Sequence, residues 1–474
     1  MNRVSVSTKI SQPSREIPWI SLTGIGAGIL LGFLFSSLTR AIVSPFIIFF
    51  VGLFVGIVWI SQYTQSYKIS LTTLFLGAYL LRTLSSVLFY FVSYFYQDPA
   101  HLGFLFINDG WAYSQDAIRM VKMQEFGYDP IIYGVSVWST GRDIAPVPYE
   151  FWNRFVYTYT GESPLSMFLL NSFFGTLTVL IVYDFVYHLF HHKIALRAAT
   201  IVACWPSLIL WSTQNLKDPL VICSLALFTS SFVLIWKRPT ILRIVFLIAS
   251  AAVLFHLQKL FLHLGVAAGF LAWFLCLEIH KLPWARICWA VFLIGVLLVL
   301  IFTAAGQASL LNRITGLQNT IIHYVFSEHA SFFENQLETL NRLRKVRGYG
   351  ESAFLRNVNI SSPGSLLLFS PLLLFYVCLG PFPWQAFGFF KFFGAMEMLV
   401  FYFFLPAFCR GIRFGFQERK QCTLFLLGLI FMVMILIALL DANLGTAFRH
   451  RASILPFVLV FVGMGWEKKH AGTA

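Results

Sequence analysis

Apolar runs of about 18 or more residues recur along almost the whole chain, and they limit what it can fold into. A run of that length lets one helix cross a lipid bilayer. Because lipid cannot satisfy backbone polar groups, only helical bundles and closed barrels span membranes. The runs have the length of spanning helices and not of the shorter strands of a barrel. The sequence therefore predicts an all-α, polytopic membrane helical bundle.

The composition supports this fold class. Charged residues make up 11% of the chain and hydrophobic residues 58%, whereas a soluble domain is roughly 25% charged. The seven cysteines lie in or beside apolar runs, and no CxxC spacing occurs. The sequence therefore predicts neither a disulfide framework nor a zinc site.

The runs predict about twelve membrane-spanning helices in a single transmembrane domain, residues 1–474. The predicted spans cover residues 19–38, 43–61, 71–96, 164–190, 195–213, 219–236, 240–256, 260–279, 285–304, 386–408, 421–440 and 452–466. Two long polar loops, 97–162 and 305–363, separate them and are expected to carry amphipathic helices. Residues 364–385 are expected to be re-entrant or interfacial, and the alternative is that they form a thirteenth span.

The basic residues predict the orientation. Lys and Arg accumulate in cytoplasmic loops, so much of the net charge of +14 reports topology. With both termini in the cytoplasm, the basic turns at 191–197, 237–243, 281–286 and 410–420 all lie inside. A thirteenth span would move the 410–420 cluster outside. Both long loops then lie on the extracytoplasmic face of a plasma membrane, the inner membrane in a bacterium, and no nucleic-acid partner is expected.

The first long loop contains the leading catalytic candidates. As a helix, residues 106–119 place Asp109, Tyr113 and Asp116 on one face, at i, i+4 and i+7. We expect Asp109 to act as a general base on an acceptor hydroxyl and Tyr113 to bind substrate. Asp116 is expected either to orient the site or to help hold a divalent metal. The alternative is that Asp109 merely caps a surface helix that Gly127 ends.

Two short external turns carry candidate phosphate ligands. In the turn before residue 219, Lys217 lies beside a helix N-terminus, a combination that suits a lipid phosphate. Asp218 followed by Pro219 is typical of a helix N-cap, which by itself explains those two residues. In the other turn, His256 and Lys259 have helical spacing and could bind a metal or phosphate, or could simply reach the membrane interface.

The last external turn holds Arg449, His450 and Arg451, against the trend of positive residues inside. Arginine pairs grip phosphate oxygens in forked geometry. We therefore predict that these three residues bind a ligand phosphate, and anchoring to anionic lipid headgroups is the alternative.

The segment from Asp109 to Tyr113 resembles the Asp-Glu-x-x-Tyr-like motif of the GT-C superfamily of membrane glycosyltransferases. The chain resembles especially the branch of protein O-mannosyltransferases and lipid A aminoarabinose transferases, loosely over residues 100–300. The resemblance implies an inverting enzyme that moves a sugar from a polyprenyl-phosphate-linked donor to a lipid, glycan or protein acceptor. Gly110 departs from the motif by replacing its second acid, and the loop follows the third span and not the first.

Two other functions fit the same topology. An O-antigen-type or exopolysaccharide polymerase or ligase also has about a dozen spans and external arginines. A transporter or flippase for lipid-linked sugars would instead show broken helices at the membrane midplane and repeat symmetry. The sequence does not identify the sugar or the acceptor.

Overall fold

A computed structural model describes residues 37–96, 108–127, 148–235, 239–257, 362–385 and 389–467, together with isolated positions between 266 and 360. Most of these residues lie in helices. The helices are α1 (Ser37–Ser61), α2 (Gln65–Tyr96), α3 (Asn108–Glu125), α4 (Pro148–Thr160), α5 (Pro164–Leu189), α6 (His192–Cys204), α7 (Pro206–Ser212), α8 (Asp218–Ile235), α9 (Ile241–His256), α10 (Pro363–Leu379), α11 (Phe389–Glu418), α12 (Lys420–Leu440), α13 (Leu444–Arg451) and α14 (Leu455–Met464).

Within those ranges, six helices are long and apolar enough to cross a membrane. The number rises to eight if two bent pairs, α6 with α7 and α13 with α14, each count as one span; their bends are 59° and 61°. The predicted spans at 19–38, 260–279 and 285–304 lie largely outside the described residues. The multi-pass helical fold is therefore confirmed, whereas the total of about twelve spans stays a prediction.

Helix α5 is the centre of the bundle. It packs against α1, α2, α6 and α8, and apolar side chains on several sides of it are buried. Its 26 residues extend about 39 Å. Polar groups of other segments lie near each of its two ends. Near its C-terminus, Arg419 donates to the carbonyl of Leu189 at 3.0 Å, and Arg197 pairs with Glu467 at 2.9 Å. The opposite end, near Asn171, carries the candidate site.

Glycines allow α11 and α14 to pack at very short distance. A Cβ placed on Gly411 would lie 1.7 Å from the carbonyl oxygen of Phe461, and one on Gly465 would lie 1.8 Å from that of Ala407. Small residues that let helix backbones approach are characteristic of packing inside membranes. This contact fixes α14, and with it α13 just before it in the chain.

The first long loop contains two helices that fold onto the bundle. Helix α3 begins at Asn108, and Gly127 follows its end with φ of +81°, a conformation that suits glycine. Helix α4 packs against α3 and buries Tyr149, Glu150 and Asn153. The predicted helix around Asp109 is therefore confirmed as a helix.

Candidate active site

The guanidinium group of Arg449 joins three segments that are far apart in the sequence. Its Nε donates to Oδ2 of Asp218 at 2.7 Å, and its Nη1 donates to Oδ2 of Asp109 at 2.6 Å. Arg449 lies on α13, Asp218 is the first residue of α8, and Asp109 lies in the first turn of α3. The two carboxylates differ in setting, since the Asp218 side chain is 2% exposed and that of Asp109 is 56% exposed.

A buried amide network holds the turn that precedes Asp218. The Nδ2 atom of Asn171 donates to the carbonyls of Gln214 and Leu216 at 2.6 and 2.9 Å. Asn215 in turn donates to the carbonyl of Gly110 at 3.2 Å. Because Gly110 directly follows Asp109, this bond ties the start of α3 to the turn. This bond therefore holds Asp109 close to the turn that leads into Asp218.

Helix α4 supports the same turn from the other side. The Tyr149 hydroxyl donates to Oδ1 of Asn215 at 3.1 Å, and Nδ2 of Asn215 donates to Oδ1 of Asn153 at 2.7 Å. Asn153 also donates to the carbonyl of Tyr149 at 2.8 Å. These buried bonds hold the turn between α4 and α3.

Tyr113 lies beside the charged cluster, one turn along α3 from Asp109. Its ring meets that of Tyr149 edge to face, with 5.2 Å between the ring centroids. Burial raises the pKa of Tyr113 above its ordinary value, and the nearby Arg449 opposes that rise only in part. The phenol therefore stays protonated at neutral pH and can donate a hydrogen bond at the edge of the site.

Asp116 lies deeper in the protein than Asp109. It is buried, and the separation of seven positions between the two acids corresponds to about 10 Å along the helix axis. In the part of the chain that the structure describes, no group of three His, Cys, Asp or Glu side chains is arranged to hold a metal ion. The proposed metal role of Asp116 has no support from this geometry, and the need for a divalent metal stays an open prediction.

His450 and Arg451, the other two residues predicted to bind phosphate in the last external turn, bond to residues outside the Arg449 cluster. His450 pairs through Nδ1 with Oδ2 of the buried Asp441 at 2.7 Å. Arg451 is buried and donates to the carbonyls of Val377 and Gly380 at 3.0 and 2.9 Å. Of the three predicted phosphate ligands in this turn, Arg449 is therefore the one that meets the acids of the other loops, while Arg451 binds the end of α10.

The remaining predicted residues fall in different places. Lys217 is half-buried and directly precedes Asp218. Its carbonyl accepts the first helical hydrogen bond of α8, from Val221 at 3.0 Å. Lys217 therefore occupies the N-cap position of α8, one residue before the predicted cap at Asp218. The Asp218 carboxylate is then available for Arg449. His256 is the last residue of α9, and Lys259 lies outside the described residues.

Sequence reasoning missed the amide network, although a signal was present. Asn171 is a fully buried polar residue near the start of the apolar helix α5, and polar residues inside spans are costly unless satisfied. Its partners are the carbonyls of Gln214 and Leu216 in the external turn and the Tyr149 hydroxyl in the first long loop. The polar residue at the end of a predicted span could therefore have marked where those segments meet.

The comparisons with known proteins bear on part of this site. Residues 145–326 match the family model described as dolichyl-phosphate-mannose-protein mannosyltransferase. The match confirms the resemblance to GT-C glycosyltransferases. It covers less than half of the chain, and includes Asp218 and the amide network but neither Asp109 nor Arg449. The search of curated proteins found no match.

The family match and the apolar helices together support a multi-pass membrane glycosyltransferase. The geometry adds what the match does not cover, namely that Arg449 bonds both to the matched Asp218 and to Asp109. The plasma membrane location and the cytoplasmic termini stay predictions.

Proposed function

We propose that the chain is an inverting glycosyltransferase that moves a sugar from a polyprenyl phosphate to an acceptor hydroxyl on the extracytoplasmic face. The observation that carries this proposal is the meeting of Asp109 and Asp218 on Arg449. The resemblance to enzymes with a lipid-linked donor supplies the class of substrate. The acceptor is a lipid, a glycan or a protein.

Each residue of the site has a distinct part in this reaction. The acceptor oxygen attacks the anomeric carbon, and its proton passes to the exposed carboxylate of Asp109. The bond between the anomeric carbon and the phosphate oxygen breaks, and its electron pair leaves with the polyprenyl phosphate. Arg449, with Lys217 nearby, neutralises the charge that develops on this leaving group. Tyr113 donates a hydrogen bond to the substrate.

The sidedness follows from the two ends of α5. Arg197 and Arg419 lie at its C-terminal end, which the positive-inside rule assigns to the cytoplasm. Arg449, at the opposite end, then lies outside and against that trend. Asp109 and Asp218 neutralise Arg449 in this structure, and an anionic ligand that reaches the site from the outer leaflet would use the same guanidinium group.

The test is a transfer assay in membranes that contain the chain together with the native envelope acceptors. Polyprenyl phosphates linked to mannose, to other hexoses or to aminoarabinose are supplied, and the release of polyprenyl phosphate is measured. The chain is expected to accelerate release from one of these donors. Asp109→Asn is expected to lower the rate by about 100-fold or more, the usual contribution of a general base.

Glu125→Gln is the matched control, because Glu125 is an exposed acid on the same helix. It is expected to keep the full rate. Full activity of Asp109→Asn would refute the assignment of the base. If Arg449 alone were essential, the polymerase or ligase alternative would account for the site better.

A further inference from the structure

Arg449 is bound by two carboxylates that differ sharply in how easily they can be replaced. The Asp218 side chain is almost fully enclosed at 2% exposure, and that of Asp109 is 56% exposed. A solvent-exposed ion pair contributes little to stability. Removing one partner of a buried pair leaves an uncompensated charge and is strongly unfavourable. Asp109 is therefore the exchangeable partner of Arg449, and Asp218 is the fixed one.

Asp218 also holds Arg449 in a defined orientation. Its Oδ2 accepts from Nε of Arg449 at 2.7 Å, while Asp109 accepts from the terminal atom Nη1 at 2.6 Å. A guanidinium group held at Nε presents its terminal nitrogens side by side, which is the fork that binds phosphate oxygens. The atom that Asp109 occupies is thus part of the surface that a phosphate would use.

Simultaneous binding of a phosphate and the Asp109 carboxylate to the terminal nitrogens of Arg449 is energetically unfavourable. Both are anions, and like charges that share one cation a few ångströms apart repel each other. Asp218 is already bound to the same guanidinium group, so a third anion would exceed the charge that Arg449 can balance. When a phosphate binds to Arg449, the exposed carboxylate of Asp109 is the one displaced.

We propose that Asp109 and the phosphate of the lipid-linked donor compete for Arg449, so that donor binding releases Asp109 to act as the base. This proposal rests on the proposed function. Before the donor binds, the Asp109 carboxylate is held by Nη1 of Arg449. After exchange, Arg449 holds the phosphate and Asp109 is free to accept the acceptor's proton. Asp218 is a positioning residue throughout.

Asp109 leaves Arg449 only when a phosphate takes its place, so release of the base is coupled to the presence of a donor.

The experiment measures binding of polyprenyl phosphate, without a sugar, to the full chain in lipid nanodiscs. Wild type is compared with Asp109→Asn, Asp218→Asn and the control Glu125→Gln. Asp109→Asn is expected to bind the phosphate about fivefold more tightly, because its competitor is gone, although it transfers sugar far more slowly. Asp218→Asn is expected to bind more weakly, and Glu125→Gln as wild type does.

Other outcomes distinguish failure of the competition from failure of the proposed glycosyltransferase function. Unchanged or weaker phosphate binding by a folded Asp109→Asn, with transfer lost, overturns the competition and leaves the function intact. Absence of polyprenyl phosphate binding by wild type overturns both. Because the Asp109 side chain is more than half exposed, its substitution is not expected to impair folding, and thermal unfolding in nanodiscs checks this.

Discussion

At the scale of single residues, the pairing of Arg449 with Asp218 has a structural part as well as a functional one. Asp218 is 2% exposed, and a carboxylate in that setting needs a partner. Its position in the first turn of α8 adds the favourable field of the helix N-terminus. Stability and catalysis are therefore coupled at this pair, and a single substitution cannot distinguish them.

A double substitution separates the two contributions. Arg449→Met removes the arginine that compensates the buried Asp218 carboxylate, and is expected to lower the free energy of unfolding by about 3 kcal/mol. Adding Asp218→Asn removes the uncompensated charge and is expected to recover most of that loss. Neither variant is expected to transfer sugar, because both lack Arg449, the residue proposed to bind the donor phosphate. Thermal unfolding in detergent and the transfer assay measure the two quantities.

A double variant that recovers stability and also recovers transfer would contradict the role of Arg449. So would a single Arg449→Met variant that is as stable as wild type, since the buried carboxylate would then need no partner.

At the scale of elements, α11 and α14 determine where Arg449 lies. The glycines of this contact have no room for a side chain, and the contact of Gly411 with Phe461 is between backbones. Any separation of the two helices would shift α13, which leads into α14, relative to α3 and α8. The site thus depends on packing far from its charged residues.

Gly411→Ala tests that dependence. The added methyl group is expected to destabilise the protein by about 1–3 kcal/mol, because it overpacks a contact that cannot yield. Gly77→Ala is the matched control, since nothing lies within 4 Å of a Cβ on Gly77. The control is expected to unfold at the wild-type temperature or slightly above it. Equal unfolding temperatures for the two variants would contradict the packing account.

Apolar length predicted the described helices well, and the broken ones less well. The predicted span at 164–190 is α5 almost to the residue. The predicted span at 195–213 is instead bent by 59° between α6 and α7, at Trp205 and Pro206. Proline stops the preceding turn from continuing as a helix, but the angle depends on tertiary packing that the sequence pattern does not contain.

The candidate site was predictable in its members but not in its pairing. Topology placed Asp109, Asp218 and Arg449 on one side of the membrane, because polar turns between spans must alternate between faces. It could not say that Asp218 bonds Arg449 instead of capping α8, or that Arg451 turns to the end of α10. Those choices depend on distances between residues that are 71 to 231 positions apart in the chain, which neither hydropathy nor spacing reports.

At the scale of the whole molecule, α5 separates two ends with different chemistry. One end gathers basic residues around Glu467, including Arg197 at 2.9 Å, as a cytoplasmic face would. The other carries the amide network and the Arg449 cluster. The lipid-linked donor is expected to place its phosphate at this second end, while its polyprenyl chain remains in the outer leaflet beside the bundle.

The most direct measurement of the central claim is an experimental structure of the chain in lipid nanodiscs with polyprenyl phosphate bound. The account predicts phosphate density on the terminal nitrogens of Arg449, with the Asp218 contact intact and Asp109 withdrawn from the guanidinium group. Phosphate bound elsewhere, with the 2.6 Å contact between Asp109 and Arg449 still in place, would contradict it.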